Sequence, residues 1–126
     1  MKKKVSFDFD KTLSTWRGQA YAKELIERGY EVWLVTFRYE KPRNGFFDNN
    51  AGLFRIAEDV GIDKDNIIFT NFVFKHNFFK DNDDFIFHLD DSYDEISMIN
   101  DSCENTKGIW FIGESWKPKC EELMLP

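Results

Sequence analysis

The run Glu31-Val32-Trp33-Leu34-Val35-Thr36 is apolar at nearly every inner position and lacks the alternation of a half-exposed strand. Such a strand is stable only when both faces are covered, as in a parallel sheet flanked by helices. Residues 5–9 fit beside it: Val5, Phe7 and Phe9 fall on one side, Ser6, Asp8 and Asp10 on the other. Residues 67–69, 85–89 and 108–112 read as three further strands. Helical spacing separates them. Ala22, Leu25 and Ile26 mark a helix over 19–28 that Gly29 ends; Leu53, Phe54, Ile56, Ala57 and Val60 mark another over 51–60 that Gly61 ends; 93–99 suits a third. Residues 37–50, with Pro42 and Gly45, read as an extended loop, and 71–84 as a short helix followed by a loop. Strands alternating with helices imply βαβ units. The expected fold is therefore α/β: a three-layer, Rossmann-like arrangement with a parallel five-stranded sheet, helices on both faces and one domain over residues 1–126.

Composition narrows the function classes. With 42% hydrophobic and 32% charged residues the chain is globular rather than disordered. A net charge of -6 works against an extended nucleic-acid surface, because such affinity comes from Lys and Arg displacing counterions. A nucleic-acid partner would need a local basic patch. Cys103 and Cys120 have no metal-ligand spacing, so reduced thiols and a cytoplasmic location are expected. Asp8 and Asp10 interrupt the apolar stretch that a signal peptide would need after Met1-Lys2-Lys3-Lys4, and no run is long enough to span a bilayer, so no membrane association is expected. The 14 Phe, several in pairs such as Phe46-Phe47 and Phe78-Phe79, should mostly be core. Any left exposed would suit a substrate, a partner or a homo-oligomer.

The chemistry concentrates where strands end. Asp8 and Asp10 leave the first strand on one side, about 7 Å apart, and Asp90-Asp91 closes the fourth strand. In a parallel sheet both ends lie on the ligand-binding edge. Clustered carboxylates repel unless a proton or cation relieves them, and oxygen-only ligands favour a hard ion such as Mg2+. Thr36 also ends a strand, with Arg38 close behind.

Asp8-Phe9-Asp10-Lys11-Thr12-Leu13, then Thr36, then a lysine, then Asp90-Asp91 resemble, in order, the four motifs of the haloacid dehalogenase superfamily. That resemblance implies a phosphohydrolase in which Asp8 attacks phosphorus and Asp10 serves as general acid and base. It further implies that Thr36 and a lysine hold the phosphoryl group; Arg38, Thr12 and Lys80 are further candidates for substrate contact. Asp8, Asp91 and Asp90, with the backbone carbonyl of Asp10, would bind Mg2+. Lys75 and Lys80 both lie where the family keeps its lysine; Lys75 is favoured because Lys80 opens a polar segment. Glu95, one helical turn after Asp91, is a candidate to support the metal site, whereas His76 and His88 have no ligand spacing and are not expected to act in catalysis.

Too few residues lie after Thr12 or within 37–66 for a cap domain, so the expected site is open and its phosphorylated substrate is a metabolite, a nucleotide or a macromolecule such as a nucleic-acid 3'-phosphate. Two rival classes remain. A response-regulator receiver also gathers Asp, Thr and Lys on a parallel sheet, but it places its adjacent acids first, whereas here they come last. An inactive binding module of the same fold is the other.

Overall fold

The computed structural model describes residues 2–41 and 50–126. The centre of the long loop expected over 37–50, with Phe46 and Phe47, lies outside the described residues. Five strands, β1 (Lys4–Phe7), β2 (Glu31–Thr36), β3 (Ile67–Phe69), β4 (Phe85–Asp90) and β5 (Lys107–Trp110), form one sheet in the order β3-β2-β1-β4-β5. Every neighbouring pair is parallel. The connections are α1 (Trp16–Glu27), α2 (Ala51–Val60), α3 (His76–Asp81) and α4 (Tyr93–Ser102), and α5 (Trp116–Leu123) follows β5. This is the expected α/β class.

The helices divide between the faces. Tyr21, Ala22 and Leu25 of α1, Leu53 and Ala57 of α2, and Trp116 and Cys120 of α5 pack with Val5, Phe7, Leu34, Phe87 and Leu89 in one core. Phe79 of α3 and Ile99 of α4 pack with Val35 and Phe85 in a second. Strict alternation along β4 would put Phe85, Phe87 and Leu89 on one face. A register shift prevents this: Lys4 pairs with Phe85 but Ser6 with His88, so β4 carries one extra residue between the pairs. Phe85 thereby joins the second core, and His88 and Asp90 follow it onto that face.

Helix α5 has no counterpart among the expected elements. Pro118 is its third residue, a position where no intrahelical N–H bond is forfeited. Helix α1 begins earlier than its apolar spacing suggested because Thr15 caps it, accepting a hydrogen bond from the Gly18 N–H at 3.1 Å. Both cysteines are buried and unbridged, and burial pushes the Cys120 thiol far above its ordinary range. Among the described residues no helix is long and apolar enough to cross a membrane.

Candidate active site

The chain runs outward from β1 to β2 and β3, then returns to place β4 on β1's other side. This reversal opens a crevice beyond the carboxyl ends of β1 and β4, the place where open α/β sheets bind ligands. Asp8 follows β1 directly, and Asp90 closes β4.

Asp8 makes the last sheet bond on this side, its N–H donating to Leu89 O at 2.8 Å. The chain then swings into a wide turn closed by Leu13 N–H to Asp8 O (3.0 Å) and Ser14 N–H to Phe9 O (2.9 Å). Lys11 takes a left-handed backbone within it, φ 61°. The first turn of α1 presses on this loop: a Cβ at Gly18 would stand 2.1 Å from Thr12 O. Thr12 is buried under the turn, and its hydroxyl donates to Asp8 Oδ2 at 3.4 Å, so it braces the carboxylate rather than lining the pocket.

Lys75 joins the two strand ends. Its Nζ donates to Asp8 Oδ1 and to Asp90 Oδ2, each at 2.6 Å, and all three side chains are almost wholly buried. Burial works against the lysine's charge, but the Asp8 and Asp90 carboxylates outweigh it and hold its pKa above the ordinary value. Burial pushes Asp8 well up, and Asp90 pushes the same way against Lys75. Asp90 goes the other way: burial is overcome by hydrogen bonds from His88 and Lys75, and it stays ionised. Lys80 is exposed and pairs with none of these acids, so position 75 supplies the buried cation.

His88, which has no ligand spacing in the sequence, is part of this cluster. It precedes Asp90 by two residues on the same face, as Ser6 precedes Asp8, and Ser6 and His88 are register partners. The ring's Nε2 lies 2.8 Å from Asp90 Oδ2 and its Nδ1 lies 2.8 Å from Ser6 Oγ. Burial lowers its pKa, so the neutral ring donates from Nε2 to Asp90 and accepts the Ser6 hydroxyl at Nδ1. The result is a continuous buried line, Ser6–His88–Asp90–Lys75–Asp8.

Asp10 stands outside this line. Its exposed carboxylate receives a two-point bond from Arg38, Nη2 to Oδ1 at 2.8 Å and Nε to Oδ2 at 3.0 Å. Arg38 also donates to Asn50 Oδ1 at 3.2 Å. Thr36 ends β2 on the same edge, but it is fully buried and its Oγ accepts the Arg38 N–H at 3.3 Å. Thr36 and Thr12 are absent from the pocket walls, whereas Asp8, Asp10, Lys75, Asp90 and Asp91 line a cavity of about 330 Å³ with Glu95.

Asp8, Asp90 and Asp91 each bring a carboxylate oxygen within 4.8 Å of the others. Glu95 adds a second observation. One of its oxygens accepts the Lys75 N–H at 3.0 Å, while Oε2 is buried without a hydrogen-bond partner. A buried acceptor of this kind calls for a donor from outside the protein, and the waters of a hydrated cation are such donors. Oxygen-only ligands in a partly polar pocket fit a hard ion that keeps several waters, the habit of Mg2+.

The pocket's outer wall is aromatic. Beyond the last β2–β3 pair the two chains stay joined, Thr70 N–H to Thr36 O at 2.9 Å, Asn71 N–H to Arg38 O at 3.1 Å and Phe72 N–H to Phe37 O at 2.7 Å. Asn71 and Phe72 then take consecutive left-handed conformations, φ 55° and 64°. For a bulky residue such as Phe72 that geometry costs about 1–3 kcal/mol. It sets Phe72 against Phe37 (centroids 4.7 Å) and Tyr39 (4.5 Å), with Phe74 6.1 Å from Phe37.

No family model matches this chain, and no curated protein matches it. Among solved structures it is similar to an uncharacterized protein from Corynebacterium glutamicum, with a TM-score of 0.65 and 11% identity over 98% of this chain and 95% of that one. At that identity the likeness shows a shared α/β fold.

Proposed function

We propose that this chain is a Mg2+-dependent phosphomonoester hydrolase of the haloacid dehalogenase type, with Asp8 as nucleophile and Asp10 as general acid and base. The observation that carries this reading is the Lys75 ammonium held between Asp8 and Asp90 at the switch point of the sheet. A nucleophile, a fixed positive charge and an acidic trio at one crevice are the elements phosphoryl transfer needs, since it depends on positioning and charge stabilisation.

Asp8 is held on one oxygen by Lys75 and on the other by Thr12. It attacks phosphorus through one of these oxygens, forming an aspartyl phosphate as the bond from phosphorus to the leaving oxygen breaks. Asp10, on the exposed side of the turn, gives a proton to that oxygen once it is protonated and freed from one of its two Arg38 bonds. In the second half Asp10 takes a proton from water, which attacks phosphorus and returns Asp8 as a carboxylate with release of inorganic phosphate. Lys75 offsets negative charge on the phosphoryl oxygens as it accumulates. Asp8, Asp90 and Asp91 would hold Mg2+, which when bound neutralises phosphate charge and fixes its orientation. Arg38 aims Asp10.

Purified protein should hydrolyse p-nitrophenyl phosphate in Mg2+. Chelation or Asp8→Asn should lower turnover by about 10³-fold or more, the scale of losing a covalent nucleophile. Turnover that survives both would overturn the proposal. A receiver-like module would instead take up at most one phosphate per chain and stop, and an inactive module would take up none.

A further inference from the structure

We propose that the aromatic ledge formed by Phe37, Tyr39, Phe72 and Phe74 is the base-binding half of the site, which makes the substrate a nucleoside monophosphate. This rests on the reading of Asp8 as a phosphate-accepting nucleophile.

Phe37 and Phe74 share one cavity with Asp8, Asp10 and Asp91. An occupant whose phosphate meets Asp8 therefore has its other end beside these rings. The ledge is costly in two ways. Phe72 is 54% and Phe74 42% exposed, whereas every other phenylalanine among the described residues is buried or half-buried. Phe72 also keeps a left-handed backbone that a turn of ordinary residues would avoid. Both costs keep the Phe72 and Phe74 rings exposed beside a charged pocket, a surface suited to stacking a base irrespective of its identity.

The layout selects a nucleotide over a simple aryl phosphate. Of the four rings, Phe37 and Phe74 touch the cavity, and the rings continue outward from Phe37 to Phe72 and from Phe72 to Tyr39. A ring bonded directly to the phosphate oxygen stays inside the cavity. A base separated from phosphate by a sugar reaches the outer pair. The cavity volume of about 330 Å³ lies at the lower end of small-molecule sites, enough for phosphate and sugar with the base on the open ledge.

The test compares adenosine 5'-monophosphate with ribose 5-phosphate, which lacks only the base, and with p-nitrophenyl phosphate. Wild-type kcat/KM should favour the nucleotide over ribose 5-phosphate by about tenfold or more. Phe72→Ala should cut that preference by about 5- to 100-fold, through KM rather than kcat. Phe74→Trp should retain it and Phe74→Leu should not, which separates a stacking face from mere apolar bulk. Equal turnover of the nucleotide and ribose 5-phosphate would overturn the ledge and leave the phosphatase reading intact. The same loss on p-nitrophenyl phosphate in Phe72→Ala would reassign the ledge to aryl phosphates and overturn the nucleotide. Failure to hydrolyse any of the three would overturn the phosphatase reading; calorimetric titration of the wild type with the nucleotide and with ribose 5-phosphate would then decide the ledge alone, equal affinities refuting it.

Discussion

Two lysines in this molecule make aspartate contacts of nearly the same length at opposite edges of the sheet. Lys4 meets Asp84 at 2.7 Å at the amino edge, with the two side chains 25% and 59% exposed. Lys75 meets Asp8 and Asp90 at 2.6 Å at the carboxyl edge, where none of the three side chains is more than 7% exposed. The bond lengths are alike and the consequences are not. Water already solvates the first pair, so its loss is nearly neutral. The second lies in a region where each charge persists only because its partner does. Among the described residues, charge burial is confined to the edge where the two innermost strands part, so the scaffold concentrates its electrostatic liability at the crevice that chemistry would use.

The sharpest way to break this contrast is Lys75→Met. It leaves Asp8, Asp90 and Asp91 facing one another without a counter-charge, and stability should fall by about 3–5 kcal/mol in denaturant titrations. Mg2+ should restore more stability to this variant than it adds to the wild type, because a cation in the trio relieves the same repulsion. Failure of Mg2+ to do so would argue against the trio as its site. Asp83 provides an intermediate case. Its carboxylate accepts from the N–H groups of Glu104 (3.1 Å), Asn105 (3.0 Å) and Thr106 (2.7 Å), tying the start of β5 to the entry of β4. Burial pulls its pKa up, but the Thr106 and Asn105 amides outweigh this and lower it below 3.8. The stabilisation is therefore complete above about pH 4 and disappears as the pH falls through the lowered folded value. Asp83→Ala should cost about 1–3 kcal/mol near neutral pH, and the gap to wild type should narrow in strong acid. Lys4→Ala should cost under about 1 kcal/mol, and less still in high salt, even though the ammonium also lies 5.2 Å from the Trp33 ring.

How far the sequence could be read depended on whether a feature was local. β2, α2 and β3 lie where periodicity put them, because their apolar patterns and flanking glycines are local signals. The convergence of Asp8 with Asp90-Asp91 followed from strand ends sharing an edge. Between Lys75 and Lys80 the sequence favours Lys75 only through the polar run that follows Lys80, since both sit in a segment of no clear period; the fold buries Lys75 and leaves Lys80 exposed. His88 has no metal-ligand spacing, and its role follows instead from strand parity: two residues before an acid, on the same face. Asp10 shared a side with Asp8 in the alternation, yet its carboxylate turns to Arg38 because the strand ends at Phe7 and parity ends with it. The bulge in β4 left no trace that alternation alone could detect.

Gly18 reaches beyond its own helix. In most helices a glycine-to-alanine change is a gain, since it removes backbone freedom from the unfolded chain. Here the added methyl would collide with the Thr12 carbonyl, one residue before the turn closes on Asp8. The start of α1 and the nucleophile's loop thus behave as a single rigid lever, and whatever tilts that helix re-aims Asp8.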